Sequence, residues 1–203
     1  MSPLVVPPAP DWPETTLPTG FRVETGPVGE PDPRLRDFAA GAPPVCVGFG
    51  SVGDADADLV TAAARQAGRR VVVVGPEGFA DPAAGSESAG ALVVRSAPFR
   101  WLFPRSAAVI HHGGAGTTAE SLRAGRPTGV VATAADQPYF GRRVAQLGAG
   151  PSPLRRRDLT VDRLASLMST LTDPNRSFRS YAGEIAAERG AADHIVAYLR
   201  RTS

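Results

Sequence analysis

His111-His112-Gly113-Gly114-Ala115-Gly116-Thr117-Thr118 joins the apolar run Ala107–Ile110 to a helix-like run that starts near Thr118. A strand, a glycine turn and a helix N-terminus in that order make an anion site. The helix end presents unpaired N–H groups with partial positive charge, and the glycines let a phosphate approach the backbone with no Cβ in the way. Thr117 or Thr118 would cap the helix or donate a hydroxyl to a phosphate oxygen. His112 adds a directional N–H at the rim. Taken alone, these residues read more simply as a glycine turn with a capping threonine, so the surrounding sequence has to decide.

Other residues have types and spacing suited to chemistry. Glu120 stands eight residues after His112, one turn into the helix; its two oxygens could accept from a vicinal diol, although a glutamate there is also favoured by the helix dipole. Asp136-Gln137 precedes Pro138 at a helix start, where an N-cap aspartate is ordinary, yet the pair supplies acceptors and donors for several hydroxyls. Gly48-Phe49-Gly50-Ser51-Val52-Gly53 matches G-x-G-x-x-G after a strand, which raises a dinucleotide-dependent oxidoreductase as a rival. That fingerprint wants an acidic residue at the end of the second strand. Here Val71–Val74 ends in Gly75-Pro76 with Glu77 beyond the turn, and the context fails. His111 and His112 point to opposite faces of a strand and have no nearby Cys or Asp to complete a ligand set, so no metal site is expected. Asp54-Ala55-Asp56-Ala57-Asp58 opens a helix and reads as first-turn charge. His194, with Asp193 and Arg189 around it, reads as surface or cap.

The elements that must position these residues follow from the apolar runs. Val45–Phe49, Val71–Val74, Leu92–Val94, Ala107–Ile110 and Thr128–Val131 read as buried parallel strands. Asp56–Ala67, Thr118–Ala124 and Gln137–Leu147 read as the helices between them. The alternation predicts an α/β fold, a doubly wound, Rossmann-like parallel sheet with its sites at the strand C-termini. Val161–Thr172, Phe178–Glu188 and Ala191–Arg200 then close the chain as helices, with Thr160 and Asp173-Pro174 as start signals for the first two. Residues 1–44 hold about half of the prolines and read as an extended arm or interdomain linker, helical only at Arg34–Ala40. The domain proper is expected at 45–203, with Phe79–Gly90 as its best candidate for disorder.

Composition narrows the function classes. The 203 residues are enough for one sizeable core. The 22 basic residues are all arginine, the net charge is +2 and the pI is near 9.2. The arginines are scattered apart from Arg155-Arg156-Arg157, and aromatics are few, so a nucleic-acid surface is not expected; the arginine run reads as a solvated helix approach. Cys46, the single cysteine, lies in a strand and reads as a buried thiol. No apolar stretch approaches the ~20 residues of a membrane helix, and Met1–Pro10 lacks the features of a signal peptide. A cytoplasmic protein with no stable membrane insertion is expected.

Ala97-Pro98-Phe99-Arg100-Trp101-Leu102-Phe103-Pro104, then the His-His-Gly-Gly block, then Asp136-Gln137-Pro138-Tyr139 resemble the donor-binding signature of nucleotide-sugar glycosyltransferases of the GT-B fold. The nearest branch looks like the sterol and antibiotic glucosyltransferases. Pro10-Asp11-Trp12-Pro13-Glu14 and Gly48-Phe49-Gly50-Ser51 resemble the approach to, and first strand of, that family's C-terminal half. The resemblance implies half of a GT-B enzyme: the donor-binding domain of an inverting hexosyltransferase acting from a UDP- or dTDP-sugar onto a lipophilic hydroxyl. It implies Ser51, His112, Gly114, Ala115, Gly116 and Thr117 at the donor phosphates, with His111 packed beneath the loop. Glu120 would hold the ribose, Ser96, Ala97 and Pro98 the base, and Asp136 and Gln137 the sugar. Trp101 either stacks on the base or belongs to the core. Arg100 stands where the family often has Gln or Asp, which leaves UDP against dTDP open. The resemblance implies no metal and no cofactor beyond the donor. Acceptor pocket and catalytic base are expected in an N-terminal partner domain, as for a separately made half or a split gene product, with little or no transfer by this chain alone. A non-catalytic nucleotide-sugar-binding partner module, an NAD-dependent protein and, more weakly, a sugar-nucleotide epimerase are the alternatives.

Overall fold

The computed structural model describes residues 2–13, 16, 20–21, 28–49, 57–75, 90–188, 196–197 and 199–200. Its centre is a parallel sheet of β1 (Val45–Gly48), β2 (Val71–Val74), β3 (Ala91–Val94), β4 (Ala108–His111), β5 (Thr128–Ala132) and β6 (Leu154–Arg155). The spatial order is β3-β2-β1-β4-β5-β6. Strand order therefore reverses between β1 and β4, and in such sheets the crevice outside the C-terminal ends at the reversal is the place for a ligand. Gly48 and His111 are paired in register at that point.

Helices cover both faces, which is why the central strands are apolar without alternation. On one face Val45, Val47 and Phe49 pack with Val60, Ala63 and Ala64 of α2 (Ala57–Gln66) and Leu164, Leu167 and Met168 of α6 (Val161–Leu171). The buried residues of α6 fall at Leu164, Ala165, Leu167, Met168 and Leu171, one helical stripe, and its N-cap Thr160 accepts from Arg163 N–H. On the other face Cys46, Val72 and Val109 meet Leu35 and Phe38 of α1 (Pro33–Ala39) and Leu102 of α3 (Phe99–Leu102). Beside them Val130 and Ala132 meet α4 (Ala115–Arg123) and α5 (Gln137–Gln146).

The doubly wound sheet is as expected, with each expected strand displaced by at most one residue at either end. Three expectations are corrected. First, α4 starts at Ala115, not near Thr118: Gly114 is its N-cap, extended at ψ 146° and without a side-chain cap. Neither threonine caps, because Thr118 is buried and its Oγ1 donates back to the Gly114 carbonyl at 2.9 Å. Second, Phe178–Glu188 is helical only over α7 (Ala182–Ala187). Asp173 accepts from Asn175 N–H within a local turn, and Arg179 N–H is held by the Gly148 carbonyl at 2.9 Å, so the chain reaches α7 as a non-helical strap. Third, α3 and the two-residue β6 fall where the sequence reading placed no regular element.

Residues 196–197 and 199–200 are helical; the rest of the expected Ala191–Arg200 helix, with His194, lies outside the described residues, as do Ser51 and 79–89. Part of the N-terminal arm is anchored: Val5 is buried, and Arg143 of α5 donates to the carbonyls of Leu4 and Val5. Asp32 caps α1 by accepting from Arg34 N–H at 2.8 Å. Among the described residues no helix is long and apolar enough to cross a membrane.

Candidate functional site

The sequence-selected residues lie in segments that follow the C-terminal ends of neighbouring strands. Ser96–Trp101 follow β3, Gly48 ends β1, His112–Thr117 follow β4, and Asp136 and Gln137 follow β5. From β3 to β5 the row spans four strand spacings, about 19 Å.

The β4–α4 turn is the centre of the row. His111 closes β4 with 1% of its surface exposed, and its Nδ1 accepts from Gly113 N–H at 2.9 Å. Burial, with a smaller contribution from His112, pushes its pKa from 6.5 down to about 3. Gly113 has φ +91°, and a Cβ there would lie 2.8 Å from both the Gln137 carbonyl oxygen and Val130 Cγ1. A Cβ on Gly114 would run into the His112 imidazole. Gly113 is therefore required by the turn itself, and Gly114 by the seat of the His112 ring above it. A Cβ on Gly116, by contrast, would meet none of the described residues within 4 Å.

His112 is half-buried over Gly114 and makes no hydrogen bond through Nδ1 among the described residues. Burial is the main cause of a pKa below the usual 6.5, while the Gly48 carbonyl and the Asp136 carboxylate nearby pull the other way. At neutral pH the ring is uncharged and can donate one N–H. Next to it, no described protein group accepts from the N–H groups of Ala115, Gly116 and Thr117. Three open donors at the positive end of a helix, beside an imidazole, are an arrangement for an anion.

The flanks are less uniform. Glu120 is partly buried, and its Oε2 accepts from Arg123 Nε at 3.1 Å and from Nη2. Asp136 is exposed at the N-cap position of α5 without using its side chain as a cap. Gln137 is buried, and its Oε1 accepts from Thr133 N–H at 2.7 Å and Ala134 N–H at 3.2 Å. The Gln137 side-chain Oε1 thus closes the β5–α5 turn and leaves the side-chain NH2 for other partners. That closing role was not visible in the sequence, and neither was φ +54° at Ala135 within the same turn. On the far flank, Ser96 is exposed and Ala97, Pro98 and Trp101 are partly buried. The Trp101 ring is covered by the Arg105 guanidinium at 4.6 Å.

The arginine run separates. Arg155 and Arg157 are exposed and pair with Asp158, whereas the Arg156 guanidinium turns inward to 5.4 Å from the Phe49 ring at the end of β1. The solvated reading fits the outer two only. Cys46 is buried, and burial lifts its thiol pKa to about 12, so it supplies no nucleophile. Among the described residues no three His, Cys, Asp or Glu side chains converge as metal ligands.

Residues 49–195 match the family described as "Erythromycin biosynthesis protein CIII-like, C-terminal domain". The chain is 39% identical over 205 residues to O-mycaminosyltylonolide 6-deoxyallosyltransferase of Streptomyces fradiae, which covers 96% of this chain and 47% of the relative. It is 33% identical over 209 residues to a sterol 3-beta-glucosyltransferase of Arabidopsis thaliana, covering 98% of this chain and 34% of the relative. Among solved structures, the glycosyltransferase VinC in complex with DTDP superposes with a TM-score of 0.68 at 30% identity, over 86% of this chain and 45% of that one. CalG4, the calicheamicin glycosyltransferase, superposes with a TM-score of 0.67 at 25% identity, over 91% and 48%. The chain spans about half or less of the length of the curated relatives it matches.

Proposed function

The chain belongs to the EryCIII-like C-terminal domain family of GT-B glycosyltransferases, and from that premise we propose that it binds a pyrimidine nucleoside diphosphate sugar across the C-terminal ends of β3, β1, β4 and β5. The observation that carries this is the uncapped N-terminus of α4 beside His112 at the strand-order reversal. The diphosphate takes the open N–H groups of Ala115, Gly116 and Thr117 and the His112 N–H, with Ser51 assigned to it by its place in the motif alone. A helix end and an imidazole stabilise the leaving diphosphate, the task a divalent cation performs elsewhere. Gly116 supports the placement: glycine weakens a helix, and nothing among the described residues needs it there, whereas a ligand lying against the backbone would.

In this reading Glu120 accepts from the ribose hydroxyls, held by Arg123, and the base lies over Ser96–Pro98. Trp101 presents only what Arg105 leaves uncovered. Asp136, exposed, and the Gln137 amide contact the hexose. The reaction is inverting transfer to a hydroxyl of a lipophilic acceptor. The general base and the acceptor pocket are assigned to a separate acceptor-binding half, so the chain alone is proposed to bind donor with little or no transfer.

Calorimetric titration of the chain with UDP, dTDP and NAD, with and without Mg²⁺, tests this, repeated on His112→Ala and Glu120→Ala. Metal-independent binding of a pyrimidine diphosphate, weakened by both substitutions, is the expected result. Binding of NAD in preference, or of no diphosphate, would sink the reading.

A further inference from the structure

The fold places a costly residue at the end of β4. Positions Ala108, Val109 and Ile110 are buried and apolar, and His111 continues the strand with only 1% of its surface exposed. Its Nδ1 accepts from Gly113 N–H, so the ring proton is on Nε2. That Nε2 is enclosed with no hydrogen-bond partner among the described residues. A buried donor without a partner destabilises a protein, and an apolar side chain of similar size would avoid the penalty. What the histidine gives in return is one hydrogen bond, which turns the Gly113 N–H inward, away from the crevice.

That bond fixes more than one atom. Gly113, at φ +91°, is clamped between Val130 of β5 and the backbone of Gln137. The next residue, Gly114, is the N-cap of α4, and His112, on the other side of Gly113 in the chain, lies over Gly114. The orientation of Gly113 therefore sets the start of α4, the seat of the His112 ring and the contact with the Asp136–Gln137 turn together. We infer that His111 is a positioning residue of the donor site: by holding Gly113 N–H on Nδ1 it presents His112 and the first-turn N–H groups of α4 to the diphosphate in one fixed arrangement. This rests on the donor-binding reading above. Burial keeps the ring neutral, so the Nδ1 acceptor persists over the physiological pH range.

The test compares His111→Leu with His111→Asn in the full chain. Asparagine can offer its side-chain oxygen near the place of Nδ1, whereas leucine fills the space and offers none. Three readouts are taken: amide hydrogen exchange at Gly113 without nucleotide, calorimetric affinity for UDP and dTDP, and the thermal midpoint. Expected for His111→Leu is a midpoint close to wild type, because the orphaned Nε2–H goes as the Gly113 bond is lost. Its Gly113 amide exchanges fast, and its affinity falls about tenfold, the size of one lost hydrogen bond. His111→Asn restores slow exchange and most of the affinity. Should the leucine variant not fold, the asparagine variant decides alone: slow exchange with near wild-type affinity supports the role, and fast exchange overturns it. Wild-type affinity in His111→Leu, or equal losses in both variants, overturns the positioning role while donor binding stands. Failure of the wild type to bind either diphosphate overturns the donor reading and this role with it.

Discussion

Gly113 and Gln137 meet backbone to backbone: a Cβ on the glycine would come 2.8 Å from the Gln137 carbonyl oxygen and 3.3 Å from its Cα. The turn after β4 and the turn after β5 are thus packed as one body, and the residues proposed for phosphate and for sugar share its rigidity. Gly113→Ala would combine a positive φ with a clash against main chain that cannot rotate away. It is expected to cost about 2–4 kcal/mol in urea denaturation and to abolish nucleotide binding in the folded fraction. A loss below about 0.5 kcal/mol, the level of an ordinary surface change, would show that the two turns move independently.

Gly116→Ala should do the opposite to stability. An added Cβ would meet none of the described residues within 4 Å, and alanine in place of glycine inside a helix adds up to about 1 kcal/mol. UDP affinity is expected to fall, because the added methyl occupies the face proposed for the phosphate. A variant that is more stable and binds as wild type would remove the phosphate from the α4 terminus.

These two glycines also mark where sequence reading stops. The strands were legible because runs such as Val71–Val74 are buried on both faces and admit few other structures. The doubly wound sheet with its sites at the strand C-termini follows from the βα alternation, whereas the strand order and its reversal between β1 and β4 come from the structure. The start of α4 was not legible: the threonines looked like caps, and only the packing of Thr118 into the core turned its hydroxyl back on Gly114. Gln137 was likewise read as a sugar contact alone, since an amide closing its own turn onto Thr133 and Ala134 leaves no mark in residue spacing. The inward turn of Arg156 toward Phe49 depends on strands distant in sequence, which a local reading of three arginines does not contain.

Glu120 distinguishes the donor's ribose. Glu120→Ala is expected to change stability by less than about 1 kcal/mol, since the partly exposed pair with Arg123 is screened by solvent. UDP affinity should fall about tenfold. The loss for dTDP should be smaller, because its deoxyribose lacks one of the two hydroxyls the carboxylate would accept from. Equal losses for the two nucleotides, measured by calorimetry, would take the ribose away from Glu120.

Cys46 reports on global opening. Its thiol is buried in β1 and its pKa is raised to about 12 by burial, so thiolate is scarce in the folded state. Labelling by a thiol-reactive chromophore is expected to be negligible in native buffer and complete in denaturant. Rapid labelling of the native protein would place Cys46 in a readily opened segment.

Acid should destabilise the fold in a window set by the two histidines after β4. In the unfolded chain each titrates near the ordinary value of about 6.5, while in the fold His111 holds off protonation to about 3 and His112 is shifted in the same direction, both mainly by burial. The unfolded chain therefore binds protons first as pH falls. Stability is fully present above about pH 6.5 and declines by up to about 1.4 kcal/mol per pH unit for each histidine still neutral in the fold. The decline from His111 ends only near pH 3. The lowered carboxylates Asp32 and Glu184 also lose stabilisation in acid, but only around and below the ordinary carboxylate range of about 4, so the interval from pH 6.5 to 5 isolates the histidines. Urea denaturation across it should show stability falling, with a shallower fall in His111→Asn. A diphosphate bound beside His112 would favour its charged form, so proton uptake should accompany nucleotide binding and vanish in His112→Gln. Stability that is flat from pH 7 to 5 would mean that His111 is not held neutral at the end of β4.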